Sequence, residues 1–490
     1  MRLPMEQAVT ELRMDSRAGD TSSTSRFTGR RIHFIGIGGS GMSGLARMLL
    51  DSGAVISGSE PRPNAQTMEL AGRGVKISRD QIGELLGRDI DLVVRTAAVK
   101  DNNPEYQAAR RYGLKAIKYA ELLGQVMQER FGVAVAGTHG KSTTTAMIAH
   151  ALLRCGAEPS FVVGGTVPQL GGGSRSGRGK AFVAEACEFD RSFHNLRPRV
   201  ALITNIEEDH LDCYKDIQEI VESFRTFARL VPVDGLILAN GADRRVLQAV
   251  NALVTPVQTV SVGGETDWSV RVAGIDQGCY RGDVRFHGKP AGVLRLSVAG
   301  EHNLFDATMA VAACAACGID AALAADALGD FTGVDRRMTE VGRFNGAIVA
   351  DDYGHHPTEI RTTLTALRQK YSPKRLLCVF QPHQHSRTRF LLDDFARSFA
   401  AADETIVPDI YFVRDSEAER QRVSATDLVA RINANGQRAL HVPKFEDILM
   451  HLRQQLEPGD LVVTMGAGNV WEIGRDLVND RVQGSGFGVQ

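Results

Sequence analysis

The spacing of hydrophobic residues predicts a chain in which short strands alternate with helices. In the C-terminal third, apolar runs predict strands at 346–350, 375–380, 404–408 and 461–464, with helices at 358–370, 391–400 and 425–433. This order is typical of right-handed βαβ units that build a parallel sheet. The pattern therefore predicts a small parallel-sheet domain at this end of the chain.

The same alternation occurs in the first two thirds of the chain. Apolar runs predict strands at 31–35, 54–58, 91–94, 132–136, 181–184 and 200–203, and an alanine-rich helix at 304–317. Breaks in this pattern divide the chain into predicted α/β domains at 29–127, 128–335 and 336–490. Residues 1–28 precede them and contain a small, polar stretch, so a disordered lead is predicted there.

A glycine-bounded turn follows the predicted strand at 132–136. It reads GTHGKST from Gly137 to Thr143 and leads directly into an apolar helical pattern. Backbone N–H groups and the positive end of a helix dipole would point at one spot, where Lys141 adds a charge. A hydroxyl directly after the lysine can bind the magnesium ion of a nucleotide. Val135 replaces the first glycine of the full motif, and a purely structural turn is the alternative, but the pattern favours a phosphate site.

A second glycine turn follows the first predicted strand. Gly36-x-Gly38-x-x-Gly41 matches a dinucleotide fingerprint and precedes a helix predicted at 45–52. The match is weak evidence for NAD, because a helix N-terminus requires only a diphosphate. Glu60, after the second strand, could hold a ribose hydroxyl. The first domain is therefore predicted to bind a second nucleotide-like group, distinct from the one at Lys141.

Two acidic loops follow the predicted strands at 181–184 and 200–203. They span residues 185–190 and 204–210, and the second ends in Asp209-His210. Carboxylates and a histidine at strand carboxyl ends beside a phosphate loop are well placed for a metal ion. Each loop alone would be interpreted as a solvated acidic loop. Together with Lys141 and Ser142 they favour a magnesium-nucleotide site.

Two further loops, at 351–359 and 381–389, are rich in histidine. Each follows a predicted strand of the C-terminal domain, and together they contain His355, His356, His383 and His385. Zinc is one interpretation, but no cysteine accompanies them and a cleft is expected at this edge of the sheet. Polar contacts to a substrate are the preferred interpretation.

Composition narrows the classes of partner. The 490 residues include 57 Lys and Arg against 58 Asp and Glu, so no basic field favours nucleic acid or a membrane surface. Small-molecule partners are predicted. Seven scattered cysteines, an odd number, fit a reducing cytoplasm better than a disulfide framework. No apolar run reaches the ~18 residues of a membrane span, and residues 1–28 lack the apolar region of a signal peptide.

Taken together, these motifs resemble the Mur ligases of peptidoglycan synthesis. The resemblance rests on the phosphate loop, Asn205-x-x-x-Asp209-His210, Gly300-x-His302-Asn303 and the pair Arg336-Arg337, and runs in the family's order to Gly468. It implies an α/β fold of three domains: an N-terminal Rossmann-like UDP-binding domain, a central P-loop-like ATPase domain and a C-terminal Rossmann-like domain that closes over the cleft.

The resemblance also implies an activity. The loops at 36–44, 351–359 and 380–383 are similar to those of the family member that joins L-alanine to the lactyl carboxylate of UDP-N-acetylmuramate. ATP and Mg²⁺ would be required, because the carboxylate must first be converted to an acyl phosphate that the amine of alanine then attacks. A cytoplasmic enzyme with small-molecule substrates is implied, and a homodimer is left open.

Roles for single residues follow from the resemblance. It implies ATP contacts from Gly137, Thr138, His139, Gly140, Lys141, Ser142, Thr143, Asn303, Arg337 and Asp352. It implies UDP-substrate contacts from Gly36, Gly38, Gly39, Gly41, Met42, Ser43, Ser59 and Thr96. It implies Ser142, Glu185 and His210 as magnesium ligands, and Lys141, His210, His356 and Arg387 as catalytic residues, the last two near the amino acid. Gln384 departs from an arginine that is common in the family.

Three rival functions remain at this stage. The nearest is the recycling ligase that attaches a murein peptide to UDP-N-acetylmuramate. An NAD-dependent oxidoreductase would use the turn at Gly36 but would leave Lys141 and Ser142 unexplained. A regulatory nucleotide-binding module would bind ATP without turnover that depends on the muramate substrate.

Overall fold

The computed structural model describes residues 25–96 and 98–484, which form three sheet-containing α/β domains and confirm the predicted fold class. The predicted disordered lead lies outside the described residues up to residue 24. The residues that follow are ordered, since Phe27 is fully buried and Arg26 lies 3.0 Å from the carboxylate of Glu129. No helix of the described residues is long and apolar enough to cross a membrane.

The N-terminal domain is a five-stranded parallel sheet with strand order β3-β2-β1-β4-β5. Its strands are β1 Arg31–Ile35, β2 Val55–Ser59, β3 Lys76–Ser78, β4 Leu92–Arg95 and β5 Ala116–Lys118. Its helices are α1 Ser40–Asp51, α2 Ala65–Gly72, α3 Pro104–Arg111 and α4 Tyr119–Met127. The strand order reverses between β1 and β4, and a crevice for ligands is expected at such a point.

Helix α1 begins five residues before the predicted start at 45. Gly41, Met42 and Ser43 therefore lie in its first turns rather than in the glycine turn. The glycines of this motif were predicted to be turn residues. At two of them, however, close packing leaves no room for a β-carbon. A β-carbon at Gly41 would lie 2.5 Å from the hydroxyl of Tyr119, and one at Gly44 would lie 2.6 Å from Ser174.

The central domain contains a ten-stranded sheet with order β15-β14-β13-β12-β11-β10-β6-β9-β7-β8. The strands are β6 Phe131–Ala136, β7 Ser160–Val162, β8 Ser174–Arg175, β9 Ala181–Glu185, β10 Val200–Ile203, β11 Leu236–Asn240, β12 Val257–Val262, β13 Trp268–Asp276, β14 Cys279–Phe286 and β15 Lys289–Ala299. The helices are α5 Lys141–Arg154, α6 Ile217–Ala228, α7 Arg244–Val250, α8 Glu301–Ala316 and α9 Ala321–Ala327, and short 3₁₀ turns span Pro168–Leu170, Phe189–Asn195 and Leu328–Asp330.

Strand β6 lies between β10 and β9, and all three run parallel. Their carboxyl ends therefore lie side by side, which brings the phosphate loop and both acidic loops to one edge of the sheet. The antiparallel strands β13–β15 were not predicted, and the alanine-rich helix begins at Glu301 rather than at 304.

The C-terminal domain is a six-stranded sheet with order β16-β17-β21-β18-β19-β20, in which only the edge strand β16 runs antiparallel to its neighbour. The strands are β16 Thr339–Phe344, β17 Ala347–Asp352, β18 Leu376–Phe380, β19 Glu404–Val407, β20 Ala439–His441 and β21 Leu461–Met465. The helices are α10 Pro357–Tyr371, α11 His385–Phe390, α12 Leu392–Ala396, α13 Glu417–Arg420, α14 Ala425–Ala434, α15 Phe445–Gln455 and α16 Trp471–Gly484.

The helix predicted at 391–400 was wrong in its bounds. Two short helices, α11 and α12, meet at Leu391, and α11 is brought forward into the histidine-rich loop. Strands β16 and β20 and helices α15 and α16 were not predicted. Buried apolar residues pack against both faces of the sheets. This packing fixes the strand ends and therefore the loops that follow them.

Candidate active site

The turn after β6 forms a phosphate loop whose backbone is fixed by hydrogen bonds to the loop after β10. Gly140 has φ 81° and caps α5 without a side-chain hydrogen bond, so N–H groups of the first helical turn stay free for an anion. His139 N donates to Asn205 Oδ1 at 2.8 Å, and the Thr204 hydroxyl donates to His139 O at 2.6 Å. A β-carbon at Gly137 would overlap that hydroxyl, which explains the glycine there.

Lys141 lies at the centre of a buried charge cluster. Its Nζ donates to Thr138 O and to Glu188 Oε1, each at 3.0 Å. His210 Nε2 lies 3.5 Å from the same carboxylate oxygen. The hydroxyl of Tyr214 donates to the backbone oxygen of Glu188 at 2.6 Å and fixes this segment. Residues from three loops that were predicted separately are therefore in direct contact.

The charges in this cluster stabilise one another. Burial alone would raise the pKa of Glu188, but the neighbouring charges of Lys141 and His210 lower it. Burial would likewise lower the pKa of Lys141, and the carboxylate of Glu188 raises it instead. Lys141 is therefore a cation, and Glu188 an anion, at neutral pH.

The donor set beside the phosphate loop suits Mg²⁺. Ser142, Glu185 and His210 line the same cavity, and Glu188 lies at its wall. Carboxylate and hydroxyl oxygens are ligands that Mg²⁺ prefers. His210 Nδ1 is buried and has no hydrogen-bond partner in the described part of the chain. Glu185 already accepts a hydrogen bond from Gly164 N, so it would keep one carboxylate oxygen engaged with protein. The residues therefore fit the ion.

Most of the predicted ATP contacts line one cavity of about 200 Å³ next to the phosphate loop. They are His139, Gly140, Ser142, Thr143, Asn303, Arg337 and Asp352. Thr138 and Lys141 line the adjoining larger cavity, and Gly137 is the first residue of the same loop. The resemblance thus named residues that the fold brings together, although their role toward ATP stays a prediction.

Arg337 lies in the segment that joins the central and C-terminal domains, and Asp352 ends strand β17 of the C-terminal sheet. Arg337 Nη1 lies 3.3 Å from Glu359 Oε1. Asp352 accepts from Met338 N at 2.8 Å and from Gly354 N at 2.7 Å. Burial raises the pKa of Asp352 to about 6, against the opposing charge of Arg337. These contacts fix the loop after β17 against the domain connection.

His139 of the phosphate loop is enclosed by carboxylates from both domains. Its Nε2 lies 3.7 Å from Glu207 Oε2, and its Nδ1 lies 3.4 Å from Glu359 Oε1. Burial would lower the pKa of His139, but the two carboxylates raise it to about 9. Glu207 also accepts a hydrogen bond from the Thr358 hydroxyl at 2.6 Å. This cluster holds the phosphate loop against the C-terminal domain.

Arg387, predicted near the amino acid, contacts Asp209 across the domain boundary. Its Nε and Nη2 donate to one oxygen of Asp209 at 2.9 and 2.8 Å, and both side chains are 7% exposed. Burial would raise the pKa of Asp209, but the Arg387 charge lowers it well below its usual range. His356, the other predicted residue, donates from Nε2 to the backbone oxygen of Glu208 at 3.1 Å. Gln384 is buried beside them and has φ 69°.

The N-terminal glycine turn has a different structure. Gly36 has φ 81°, and a β-carbon there would lie 3.8 Å from Thr96 Cγ2, so the turn after β1 faces the loop after β4. Gly38 N donates to Glu60 Oε2 at 3.1 Å, and Asn64 Nδ2 donates to Gly38 O at 2.9 Å. Gly39 caps α1 without a side-chain hydrogen bond. Gly36, Gly38 and Gly39 therefore lie in one turn with Thr96 facing it, and their contact with substrate stays a prediction.

Ser59 lies below this turn with a fully buried side chain. Its hydroxyl donates to Glu105, whose other oxygen lies 2.9 Å from His33 Nε2. Only the backbone of Ser59 reaches the turn, where its carbonyl accepts from Gly36 N at 2.9 Å and Ile37 N at 3.0 Å. In this structure Ser59 supports the turn, and a direct contact between its hydroxyl and a substrate would require rearrangement.

A cavity of about 700 Å³ connects the three domains. It is lined by Ser43 and Arg47 of α1, by the phosphate loop and by Tyr353 and His355 of the C-terminal domain. No individual role was predicted for Glu207, Glu359 or Asp306, although the loops of the two glutamates were predicted to bind metal or substrate. All three residues lie within contact of the phosphate loop. Only their position in polar loops or in a predicted helix was available as a signal.

The fold and this site define a three-domain nucleotide-binding α/β protein with its phosphate loop at a cleft that the other two domains complete. Family models match in the same order: "Mur ligase family, catalytic domain" at 31–131, "Mur ligase middle domain" at 135–314 and "Mur ligase, glutamate ligase domain" at 336–468. The chain belongs to the Mur ligase family, as the sequence motifs predicted.

Several relatives are similar over nearly their whole length. UDP-N-acetylmuramate–L-alanine ligases of Caldanaerobacter subterraneus subsp. tengcongensis and Agathobacter rectalis are each 42% identical, over 92% and 91% of this chain and 98% and 97% of their own. The solved UDP-N-acetylmuramate-alanine ligase of Thermotoga maritima is 27% identical, with a TM-score of 0.75 over 93% of this chain and 99% of its own. A murein peptide ligase of Psychrobacter arcticus gives 28% and 0.67, over 94% and 100%.

Proposed function

We propose that this chain is an ATP-dependent ligase that joins L-alanine to the lactyl carboxylate of UDP-N-acetylmuramate in peptidoglycan synthesis. One structural observation carries the proposal: Lys141 lies at the wall of a cavity that residues of all three domains line. The substrates come from the names of relatives that are 38–42% identical over more than nine tenths of the chain.

The reaction requires two bond exchanges. The muramate carboxylate attacks the γ-phosphorus of ATP, the bond to ADP breaks and an acyl phosphate forms. The amine of alanine then attacks the acyl carbonyl and gives up a proton, the C–O bond to the phosphate breaks, and inorganic phosphate leaves with the bridging oxygen. Lys141 and the free N–H groups at the start of α5 would reduce the repulsion between the two anions in the first step.

Magnesium is part of the proposal. Ser142, Glu185 and His210 would hold the ion, with Glu188 beside them. When bound, Mg²⁺ supplies charge neutralisation at the phosphate oxygens. The charges of Lys141 and His210 lower the pKa of Glu188 and so keep its carboxylate anionic beside the proposed ion.

The C-terminal domain would bind the amino acid. Arg387 is the proposed partner of the alanine carboxylate, and His356 lies at the start of α10, in the loop after β17. Because Arg387 is bonded to Asp209 in this structure, binding would require the arginine to share or exchange that partner. A guanidinium can form two parallel hydrogen bonds to the carboxylate of an amino acid, whereas here both donors of Arg387 contact one oxygen of Asp209.

The division of labour follows the predicted domains. Residues 29–127 would bind the UDP substrate, 128–335 would bind ATP, and 336–490 would bind the amino acid and close the cleft. A cytoplasmic location is proposed because ATP is a substrate and all seven cysteines are free. A homodimer stays a prediction that sedimentation equilibrium would test.

A phosphate-release assay with a panel of amino acids tests the function. Purified protein would be mixed with ATP, Mg²⁺, UDP-N-acetylmuramate and either L-alanine, glycine, L-serine or the murein tripeptide. We expect release that depends on both the muramate substrate and L-alanine. Release with the tripeptide alone would instead support the recycling ligase, which the similarity to the Psychrobacter arcticus structure keeps as the second candidate.

A further inference from the structure

Three side chains from two domains converge beside the phosphate loop. They are His139 of that loop, Glu207 of the loop after β10, and His356 at the start of α10. One ligand atom from each lies within 4.8 Å of the other two, and the two imidazole centroids are 4.5 Å apart. Glu207 Oε2 lies 3.7 Å from His139 Nε2 and 3.7 Å from His356 Nδ1.

The remaining nitrogen of each ring has its own partner. His139 Nδ1 faces the Glu359 carboxylate at 3.4 Å, and His356 Nε2 faces the Glu208 carbonyl at 3.1 Å. Each of these nitrogens must carry a proton to make its contact, so on neutral rings the lone pairs are those of His139 Nε2 and His356 Nδ1. The first faces Glu207, and the second lies 3.7 Å from Glu207 Oε2 but accepts from Thr358 N. Metal-binding histidines are oriented in this way by a carboxylate or carbonyl behind the ring.

The nitrogens that face Glu207 are poorly satisfied without a ligand. His139 Nε2 is buried and accepts or donates no hydrogen bond within the described ranges 25–96 and 98–484. His356 Nδ1 accepts one long bond, from Thr358 N at 3.3 Å, and the residue is 4% exposed. A buried nitrogen whose polar contact is a carboxylate 3.7 Å away is poorly satisfied, and a cation between the rings would give it a direct partner.

We propose that His139, Glu207 and His356 form a binding site for a divalent transition-metal ion of the zinc class, separate from the magnesium site at Ser142. Two imidazole nitrogens and one carboxylate suit Zn²⁺, whereas Mg²⁺ prefers oxygen ligands. Bonds of about 2.0–2.2 Å require donor atoms roughly 3.3 Å apart, so small side-chain rotations would complete the site. A fourth position is left for water.

The site spans the boundary between the central and C-terminal domains. His139 and Glu207 come from the first and His356 from the second, so the site is complete only while the two domains are in contact. A bound ion would replace the proton on His139 Nε2, which faces Glu207, while the Nδ1 proton stays toward Glu359. It would thereby fix the phosphate loop to the C-terminal domain.

Metal binding to the full-length protein tests the proposal. Chelator-treated protein would be titrated with Zn²⁺ in excess Mg²⁺, with bound zinc measured by atomic emission and calorimetry, and Co²⁺ used as a spectroscopic probe of the ligands. We expect one tight site per chain, weakened at least tenfold by Glu207→Gln and by His356→Asn. Glu208→Gln is the matched control, because Glu208 is exposed and removes the same charge from the adjacent position.

Three results would overturn the proposal. They are no stoichiometric Zn²⁺ in the wild-type protein, equal binding by Glu207→Gln, or loss of the site in His210→Ala, which would place the ion at the magnesium site. Circular dichroism and thermal melting would exclude unfolded variants. If one variant fails to fold, the Co²⁺ spectrum of the wild-type protein still decides, because octahedral oxygen coordination without imidazole would contradict the assigned ligands.

Discussion

The two glycine turns of this chain use the same backbone device for different tasks. Each follows a strand at which the order of a parallel sheet reverses, and each leads into a helix without a side-chain cap. The N-terminal turn is closed by a glutamate, since Glu60 accepts from Gly38 N. The central turn contains Lys141, which is paired with Glu188 and lies beside His210.

This difference between the turns distinguishes a site that only binds a phosphate from a site that transfers one. Backbone N–H groups and a helix dipole suffice to bind a diphosphate that does not react. A γ-phosphate in transfer needs charge that is already in position, because the transition state brings two anions together. Of the two turns, only the central one contains a lysine, and the buried carboxylate of Glu188 keeps that cation oriented.

The largest effect is expected from Lys141→Ala. Ligation should fall on the order of 10³-fold in kcat, because the cation at the transferred phosphate is lost. Binding of UDP-N-acetylmuramate, measured by calorimetry, should stay nearly unchanged, since the other turn lies in a different domain. Lys215→Ala, at an exposed position, is the control. Equal loss of ligation and UDP-substrate binding would contradict the division between the two turns.

Glu188→Gln should have the next largest effect. Without the carboxylate, Lys141 loses the anion that raises its pKa, and His210 loses a partner at 3.5 Å. We expect kcat to fall on the order of 10²-fold. The pH dependence of kcat on its acidic side should not become steeper, because the carboxylate of the wild-type protein is ionised throughout the neutral range. The assay is phosphate release at saturating Mg²⁺. An unchanged kcat would show that Lys141 needs no buried partner.

Gly41→Ala tests the N-terminal turn by itself. The added methyl group would lie 2.5 Å from the Tyr119 hydroxyl, so α1 or the ring must move. We expect KM for UDP-N-acetylmuramate to rise about tenfold while KM for ATP stays constant. The double variant Gly41→Ala with Tyr119→Phe should recover part of the loss. Gly72→Ala, where nothing lies within 4 Å, is the matched control. A change in the ATP parameter instead would sink this assignment.

Both turns could be predicted from the sequence because each is a local pattern. A strand, a glycine turn and a helix follow one another in the chain, and the parallel order of β10, β6 and β9 then brings the acidic loops to Lys141. Strand β10 was predicted with its observed bounds, 200–203. The family and the three-domain fold were confirmed for the same reason, since several local motifs agreed.

Contacts between domains could not be predicted in this way. Arg387 and Asp209 are 178 positions apart, and no local pattern connects them. His139, Glu207 and His356 likewise meet only after the C-terminal domain lies on the central one. The antiparallel strands β13–β15 were missed because pairing with neighbours, rather than local hydrophobicity, defines them.

Asp306 shows how burial changes the interpretation of a residue. In the sequence it is a polar position in an alanine-rich helix, and no role was assigned to it. In the structure it is 4% exposed and lies below the phosphate loop, where a β-carbon at Gly140 would be 2.8 Å from its Oδ1. Burial raises the pKa of its carboxyl group to about 7.

Asp306→Asn is therefore expected to stabilise the central turn in a pH-dependent way. The folded pKa lies above the ordinary value of 3.8, so the stability of the wild-type protein is lost as pH rises from 3.8 through about 7. Asparagine does not titrate, and its advantage should grow between pH 5 and pH 8, to at most about 4 kcal/mol. Thermal melting at both pH values measures it, with exposed Asp326→Asn as the control. An equal difference in Tm at both pH values would mean that Asp306 is charged throughout, and that the central turn tolerates a second buried anion as readily as it holds Glu188.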